Sequence, residues 1–352
     1  MSSAAKGPLA GLRVVEMAGI GPAPFAAMLL ADMGAEVIRI DRPEASGLGI
    51  ERPSAYDFTA RGRRSVAIDL KQQAGVGCAL DLIDRADALI EGFRPGVMER
   101  LGLGPDLCQA RNPRLVYGRV TGWGQDGPLA GTAGHDLNYI ALTGALDAIG
   151  RKGQPPTPPV NLLGDYAGGS LLLAFGIVCA LLNARATGAG QIVDAAVVDG
   201  TSLLATPLLG LMAAGLWQRE RGTNILDSGA PHYEVYPCAD GRFVSIAPIE
   251  AKFRKALLEG LGFDPATFPD VSDRANWDAA RRLIANRVAQ KTRAEWCGLF
   301  EGTDACLTPV LSFDEAIDHP HNVARNTYVE IAGIPQPAPA PRFSRTPSGM
   351  PT

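Results

Sequence analysis

The residues best suited to chemistry are a histidine and an aspartate 30 positions apart. His135 stands in Gly134-His135-Asp136-Leu137-Asn138-Tyr139, and it is one of only four histidines in the chain. Asp165 stands in the stretch NLLGDYAGG, at the mouth of a long apolar run. Histidine is the side chain best poised to move a proton near neutral pH. A carboxylate at a helix start is stabilised by unpaired N–H groups, and those donors could also hold an oxyanion formed beside it. A histidine near an aspartate is more often a structural hydrogen bond, and an aspartate at a helix start is more often a plain cap. Glycine sets this pair apart: Gly134 precedes the histidine, and Gly164, Gly168 and Gly169 surround the aspartate. Glycine lets a ligand approach the backbone closely. The pattern therefore predicts two proton-transfer groups in a glycine frame through which a substrate passes.

A second group of residues could bind phosphate. Arg42, Arg61, Arg63, Arg64, Lys71, Arg94 and Arg100 are spread through the first hundred residues. Guanidinium groups hold phosphate bidentately, although a solvated surface explains such a set equally well. Gly19-Ile20-Gly21-Pro22-Ala23-Pro24, with Asp41 about 20 residues on, invites a dinucleotide reading. Pro24 occupies the place of the third glycine, so a tight strand-to-helix turn is the better reading. There is no G-x-S-x-G, no Walker loop and no H-E-x-x-H, which removes the usual support for hydrolase, kinase and metalloprotease readings. The six cysteines form no C-x-x-C and read as scattered reduced thiols. His319-Pro320-His321 is the one close histidine pair, and a surface loop explains it; no metal site is expected.

The elements that must position these residues follow from hydrophobic patterning. Strands are predicted at 12–19, 35–41, 65–70, 86–92 and 114–124, with helices at 22–34 and 72–85. A long buried helix near 166–185 and a strand-into-helix at 190–200 follow. This alternation implies a parallel sheet with helices on both faces. Texture changes near 225: residues 232–250 read as a hairpin around Asp240-Gly241, and charged helical sequence fills 251–300. From about 335 the chain is proline-rich and reads as an extended tail. The expected organisation is a large domain over 1–223, a small domain over 224–310 and a C-terminal segment, 311–352, returning to the large one. Length, 46% hydrophobic residues and 20% charged ones suit a globular α/β protein. With 33 basic against 37 acidic residues, the chain advertises neither nucleic-acid nor anionic-membrane binding. The stretch MSSAAKGPLAGLRVVE lacks the pattern of a secretory leader. The apolar run 170–182 is too short to span a bilayer, so a cytoplasmic location is expected.

The combination resembles the family III coenzyme A transferases and, within them, the α-methylacyl-CoA racemases. The matching stretches include GPLAGLRVVEMAGIGPAPFAAMLLADMGAEVIRIDRP, RGRRSVAIDLK, IEGFRPGVMERLGLGP, TGWGQDGP, GHDLNY, NLLGDYAGGS, TGAGQIVDAAVVDG and GAPHYEVYPCADGRFVSIAPIE. The resemblance implies a Rossmann-like large domain, a small α+β domain and an interlocked homodimer. It implies that Arg42, Ala67, Ile68, Asp69, Leu70, Gly92, Phe93, Arg94 and Arg100 contact coenzyme A. Gly134, Asp136, Leu137, Asn138 and Tyr139 would line the thioester. His135 and Asp165 would be the two bases, serving the S and R hands, and the partner subunit's Glu250 would orient the imidazole. The activity implied is racemisation of 2-methylacyl-CoA thioesters through an enolate. That enolate would rest on N–H groups at the helix start after Asp165. No cofactor is implied, coenzyme A being part of the substrate. In the alternative, a CoA transferase, Asp165 would attack the thioester to form a mixed anhydride, and the histidine would have no task. A non-catalytic acyl-CoA-binding protein would have no use for the three intact acid–base residues. Relatives often line the acyl path with methionines, whereas LLATPLLGLMAAGLW (203–217) holds leucines and Met212 alone.

Overall fold

The computed structural model describes residues 6–44 and 46–352. Residues 1–5, part of the stretch read above for a leader, lie outside them. The chain forms two compact units: one takes residues up to Ala145, Pro159–Thr206 and Tyr328–Thr352, the other Leu146–Pro158 and Pro207–Thr327.

In the first unit the apolar runs form β1 (Arg13–Met17), β2 (Glu36–Asp41), β3 (Arg63–Ala67), β4 (Ala88–Glu91), β5 (Val116–Thr121) and β6 (Ile192–Ala196). They make one sheet in the order β3-β2-β1-β4-β5-β6, with every neighbouring pair parallel. Parallel strands are covered on both faces, so their residues are apolar on both sides. Val14 and Ile90 join a core with helices α1 (Pro22–Asp32) and, later in the chain, Leu172–Thr187. Val15 and Leu89, the adjacent positions on the same strands, join the opposite core with α2 (Gln73–Ile83), α3 (Val97–Arg100) and α4 (Pro105–Arg111). The expected α/β architecture is thus present. After β5 comes the short helix α5 (Asp136–Leu142), then a π-helical segment Leu162–Leu171 that continues into α6 (Leu172–Thr187). Helix α7 (Val197–Leu204) follows β6 directly, and α8 (Thr206–Ala213) comes next.

The apolar helix is longer than the run 170–182 that marks it in the sequence. It runs over Leu162–Thr187, long and apolar enough to cross a membrane by length and composition. Its geometry is that of a core helix on one side, where Leu173, Ile177, Ala180, Leu181 and Ala184 are buried. Its other side shows Leu171, Phe175, Val178 and Leu182, all exposed.

The second unit carries the predicted hairpin, β7 (Glu234–Pro237) and β8 (Phe243–Ile246), turning at Gly241 with φ +73°. Strand β9 (Leu307–Val310) adds antiparallel to β8. Helices α9 (Ala251–Gly260), α10 (Trp277–Val288) and α11 (Arg293–Phe300) cover this sheet through Leu257, Ile284, Val288, Trp296 and Phe300.

Three boundaries differ from expectation. The second unit begins at Pro207, not 224, and it recruits residues 146–158. Arg221 explains the recruitment: it binds the Asp147 carboxylate at 2.7 Å and the Gln154 carbonyl at 3.0 Å. The return to the first unit starts at Tyr328, not 311. It opens with a hairpin, β10 (Tyr328–Ile331) and β11 (Ile334–Pro337), where an irregular tail was expected from about 335. Prolines at 335 and 337 mask the strand in the sequence, but proline is tolerated at a sheet edge.

Arg61 fastens this return. Its guanidinium takes Asp32 with two nitrogens, at 3.1 and 2.5 Å, and the Pro337 carbonyl at 2.7 Å. Both side chains are buried. Arg61→Ala would strand a buried carboxylate, a loss of about 3–5 kcal/mol for such pairs. Urea unfolding should show that drop, and Arg61→Met combined with Asp32→Leu should recover a large part of it.

Candidate active site

In a sheet of one strand direction, all strand-to-helix loops leave at the carboxyl edge, and ligands bind where the strand order reverses. Here the reversal lies between β1 and β4. Arg42 follows β2, Ala67 ends β3 with Ile68 to Leu70 after it, and Gly92 to Arg94 follow β4, so these expected contacts share one edge. Arg42, Arg94 and Arg100 are exposed there. The loop after β4 is held from beneath: buried Glu91 accepts the Phe93 N–H at 2.7 Å and the Arg119 Nε at 2.7 Å. Arg119 in turn binds Glu99 at 2.9 Å, which secures α3 and, at its end, Arg100. Burial pushes Glu91 above the ordinary carboxylate range, against the bonds from Phe93 and Arg119.

The wider basic cluster does not converge on that edge. Arg61 is spent on Asp32, Arg63 is buried against Glu16, and Arg64 points outward to Glu36. Spacing alone could not separate these structural arginines from the exposed ones.

His135 is the N-cap of α5, with extended backbone at φ −132°. The Asn138 side chain accepts its N–H at 3.0 Å, one half of a capping box. Its side chain is exposed. Tyr139, one turn on, stacks edge-on against Trp123 with centroids 4.7 Å apart and donates its hydroxyl to the Gly134 carbonyl. Burial, then the Asp165 charge, push that hydroxyl above the ordinary tyrosine value. Leu137 and Asn138 are exposed, while Asp136 is buried.

Asp165 sits in the first turn of the π-helical segment. Burial holds its carboxyl above the usual aspartate range; the Asp136 charge adds to the rise, while a bond from Asn161 and the His135 charge oppose it. The Asn161 amide reaches it at 3.3 Å. Asn161 was missed as a site residue, although it lies four positions earlier in the same motif. Gly21, in the turn read as structural, also meets Asp165: a Cβ there would lie 3.5 Å from Oδ2.

Two expectations require correction. The N–H of Asp165 is already given to the Asp136 carboxylate, at 2.7 Å, with Gly164 as a second donor to the same group. The helix itself starts at Leu162 rather than near 166, so the N–H groups after Asp165, expected at its open start, lie within it. The glycine frame, too, is filled by protein. A Cβ at Gly134 would lie 2.6 Å from the Tyr139 ring, and one at Gly164 only 2.3 Å from Asp136 Oδ1. At Gly168 it would lie 2.7 Å from the Thr201 hydroxyl, and at Gly169 2.9 Å from Pro22. These glycines permit close internal packing around His135 and Asp165.

Glu250 belongs to the second unit, where it precedes α9 and is exposed. Among the described residues, no group of three or more His, Cys, Asp or Glu could hold a metal ion.

Residues 9–352 match the family described as CoA-transferase family III. The chain is 47% identical over 341 residues to the α-methylacyl-CoA racemase of Mus musculus and 45% identical over 344 residues to that of Homo sapiens. Each alignment covers 97% of this chain and 87% of the relative. Among solved structures, a CAIB/BAIF family protein from Brucella suis superposes with a TM-score of 0.83 at 28% identity, covering 98% of this chain and 95% of that one.

Asn161→Leu removes a bond that favours the charged form of Asp165, so the Asp165 carboxyl should titrate at higher pH than in the wild type. Carbon-13 NMR of aspartate-labelled protein reads this directly.

Proposed function

The chain belongs to CoA-transferase family III, and from that premise we propose that it interconverts (2R)- and (2S)-2-methylacyl-CoA thioesters. The observation that carries the reading is the pairing of two different acid–base groups, His135 and Asp165, on adjoining helix starts at the carboxyl edge of the sheet. The identity to two racemases over nearly the whole chain supports it.

The hydrogen on the carbon beside a thioester carbonyl is weakly acidic. One base takes that proton; the C–H electrons pass into the enolate, whose charge settles on the carbonyl oxygen. The other group returns a proton to the opposite face of the planar carbon. His135 serves the S hand and Asp165 the R hand. A carboxyl held above its usual range is better matched to donating and accepting a proton near neutrality than an ordinary aspartate. The enolate oxygen needs donors that the helix itself does not consume. His135's carbonyl accepts the N–H of Asn138 and of Tyr139. The N–H groups of Asp136 and Leu137, ahead of them in the first turn of α5, have no carbonyl partner within the helix. These are the oxyanion donors.

Coenzyme A would lie along the carboxyl edge, its phosphates on Arg42, Arg94 and Arg100, its nucleotide against Ala67 to Leu70 and Gly92 to Phe93. The acyl end would pass Gly134 and Tyr139. No cofactor takes part. The acting form is an interlocked homodimer in which the partner subunit's Glu250 steadies the imidazole; the exposed apolar side of α6 gives a second copy something to cover. The enzyme works in the cytoplasm, without nucleic acid or membrane as partner.

Incubation with one enantiomer of a 2-methylacyl-CoA in deuterium oxide should give α-deuterium together with loss of configuration. Mass spectrometry and chiral analysis follow the two. Configuration kept with no exchange, but CoA passed to an added carboxylic acid, would instead establish a transferase. His135→Ala should slow exchange about 10²–10⁴-fold, the usual contribution of a general base, with binding of coenzyme A nearly intact. Arg100→Ala should act the other way. It should raise KM about tenfold or more, as loss of a charge-assisted hydrogen bond does, and change kcat little.

A further inference from the structure

The two bases lie on different helices, and something must hold those helices in register. Asp136 is the residue that touches both. It opens α5 immediately after His135. It is 6% exposed, and its side chain faces the other helix. Oδ1 accepts the Asp165 N–H at 2.7 Å, and the Gly164 N–H is directed at the same carboxylate. The approach is so close that only glycine fits at 164, because a Cβ there would lie 2.3 Å from Oδ1 and 3.0 Å from Cγ. Oδ2 is buried with no hydrogen-bond partner among the described residues.

Resting on the racemase reading, we propose that Asp136 is a positioning residue whose carboxylate locks the His135 helix to the Asp165 helix and sets the electrostatic surroundings of the second base. Its Oδ1 is taken by the Asp165 N–H and the residue is buried, so its role is positional and not proton exchange with substrate.

Two effects are separable. The hydrogen bonds fix geometry, and a displacement of about 1 Å at a reacting group can cost 10²-fold in rate. The charge acts on Asp165 and also on the Tyr139 hydroxyl. The groups facing Asp165 are Asn161 on its own helix, and His135, Asp136 and Tyr139 from α5. Arg94, from the loop after β4, acts on Tyr139. Of these, the Asp136 carboxylate is the negative charge that opposes ionisation of Asp165.

Asp136→Asn keeps the shape and one accepting oxygen but removes the charge. Asp136→Ala removes both. In aspartate-labelled protein, Asp136→Asn should move the Asp165 titration to lower pH. The acid limb of kcat/KM from the R enantiomer should follow it, since Asp165 must be ionised to act on that hand. Asp136→Ala should slow exchange from both enantiomers by about 10–100-fold and change KM for the thioester by less than about threefold. An unmoved Asp165 titration in Asp136→Asn overturns the inference, whatever the activity. So does an Asp136→Ala enzyme that exchanges both hands at the wild-type rate, or one whose loss lies in KM. Absence of exchange in the wild type would instead count against the racemase reading, while the NMR titration would still decide the role of Asp136.

Discussion

A parallel sheet obliges every strand-to-helix loop to emerge at the same edge, and the first unit is organised around that obligation. Five strands in one direction bring Gly21, Arg42, Asp69, Phe93 and His135 to one side of the molecule, although the sequence spreads them over more than a hundred positions. Asp165 arrives there by another route. It lies in the first turn of its own helix, and it comes near because small residues leave the room. Gly200 shows how tight the approach is: a Cβ there would lie 1.9 Å from the Gly168 carbonyl oxygen. The sheet brings His135 to the edge, and glycine contacts between helices bring Asp165.

Buried charge recurs through the first unit. Glu16 with Arg63, Asp32 with Arg61, and Glu91 with Arg119 are all withdrawn from water. Desolvation offsets much of what such pairs gain by attraction, so they are poor sources of net stability. Each of them joins segments distant in sequence: β1 to β3, α1 to the turn before β3, and β4 to β5. A hydrophobic contact could join the same segments but would tolerate sliding. A bidentate or hydrogen-bonded pair does not, and Glu91 with Arg119 sits directly under the loop expected to hold coenzyme A.

Much of this was legible in the chain itself, and the exceptions have physical causes. Apolar runs of strand length separated by helical periods gave β1 to β5 within a few residues, and Asp240-Gly241 gave the hairpin of the second unit. His135 and Asp165 stood out by residue type and setting. The purpose of their glycines did not. Gly134, Gly164 and Gly168 look like openings for a ligand in one dimension, and only packing shows Tyr139, Asp136 and Thr201 in those spaces. Arginines raise the same difficulty: Arg61 and Arg94 are equivalent in sequence, while one is buried on Asp32 and the other exposed. The β10–β11 hairpin was hidden by its prolines, and the recruitment of residues 146–158 depends on Arg221, some 70 positions away.

The order of the segments along the chain carries a consequence for biosynthesis. Residues 207–327 are made after all six strands of the large sheet and before β10 and β11. Until they have been made, Arg61 lacks the Pro337 carbonyl and the Gly62 N–H lacks the Thr352 carbonyl, its partner at 2.8 Å. At about 5–20 residues per second, the nascent first unit waits on the order of ten seconds with that margin unfinished. The second unit, apart from residues 146–158, is translated as one stretch within that interval. Its hairpin and three helices can therefore assemble before the first unit is complete.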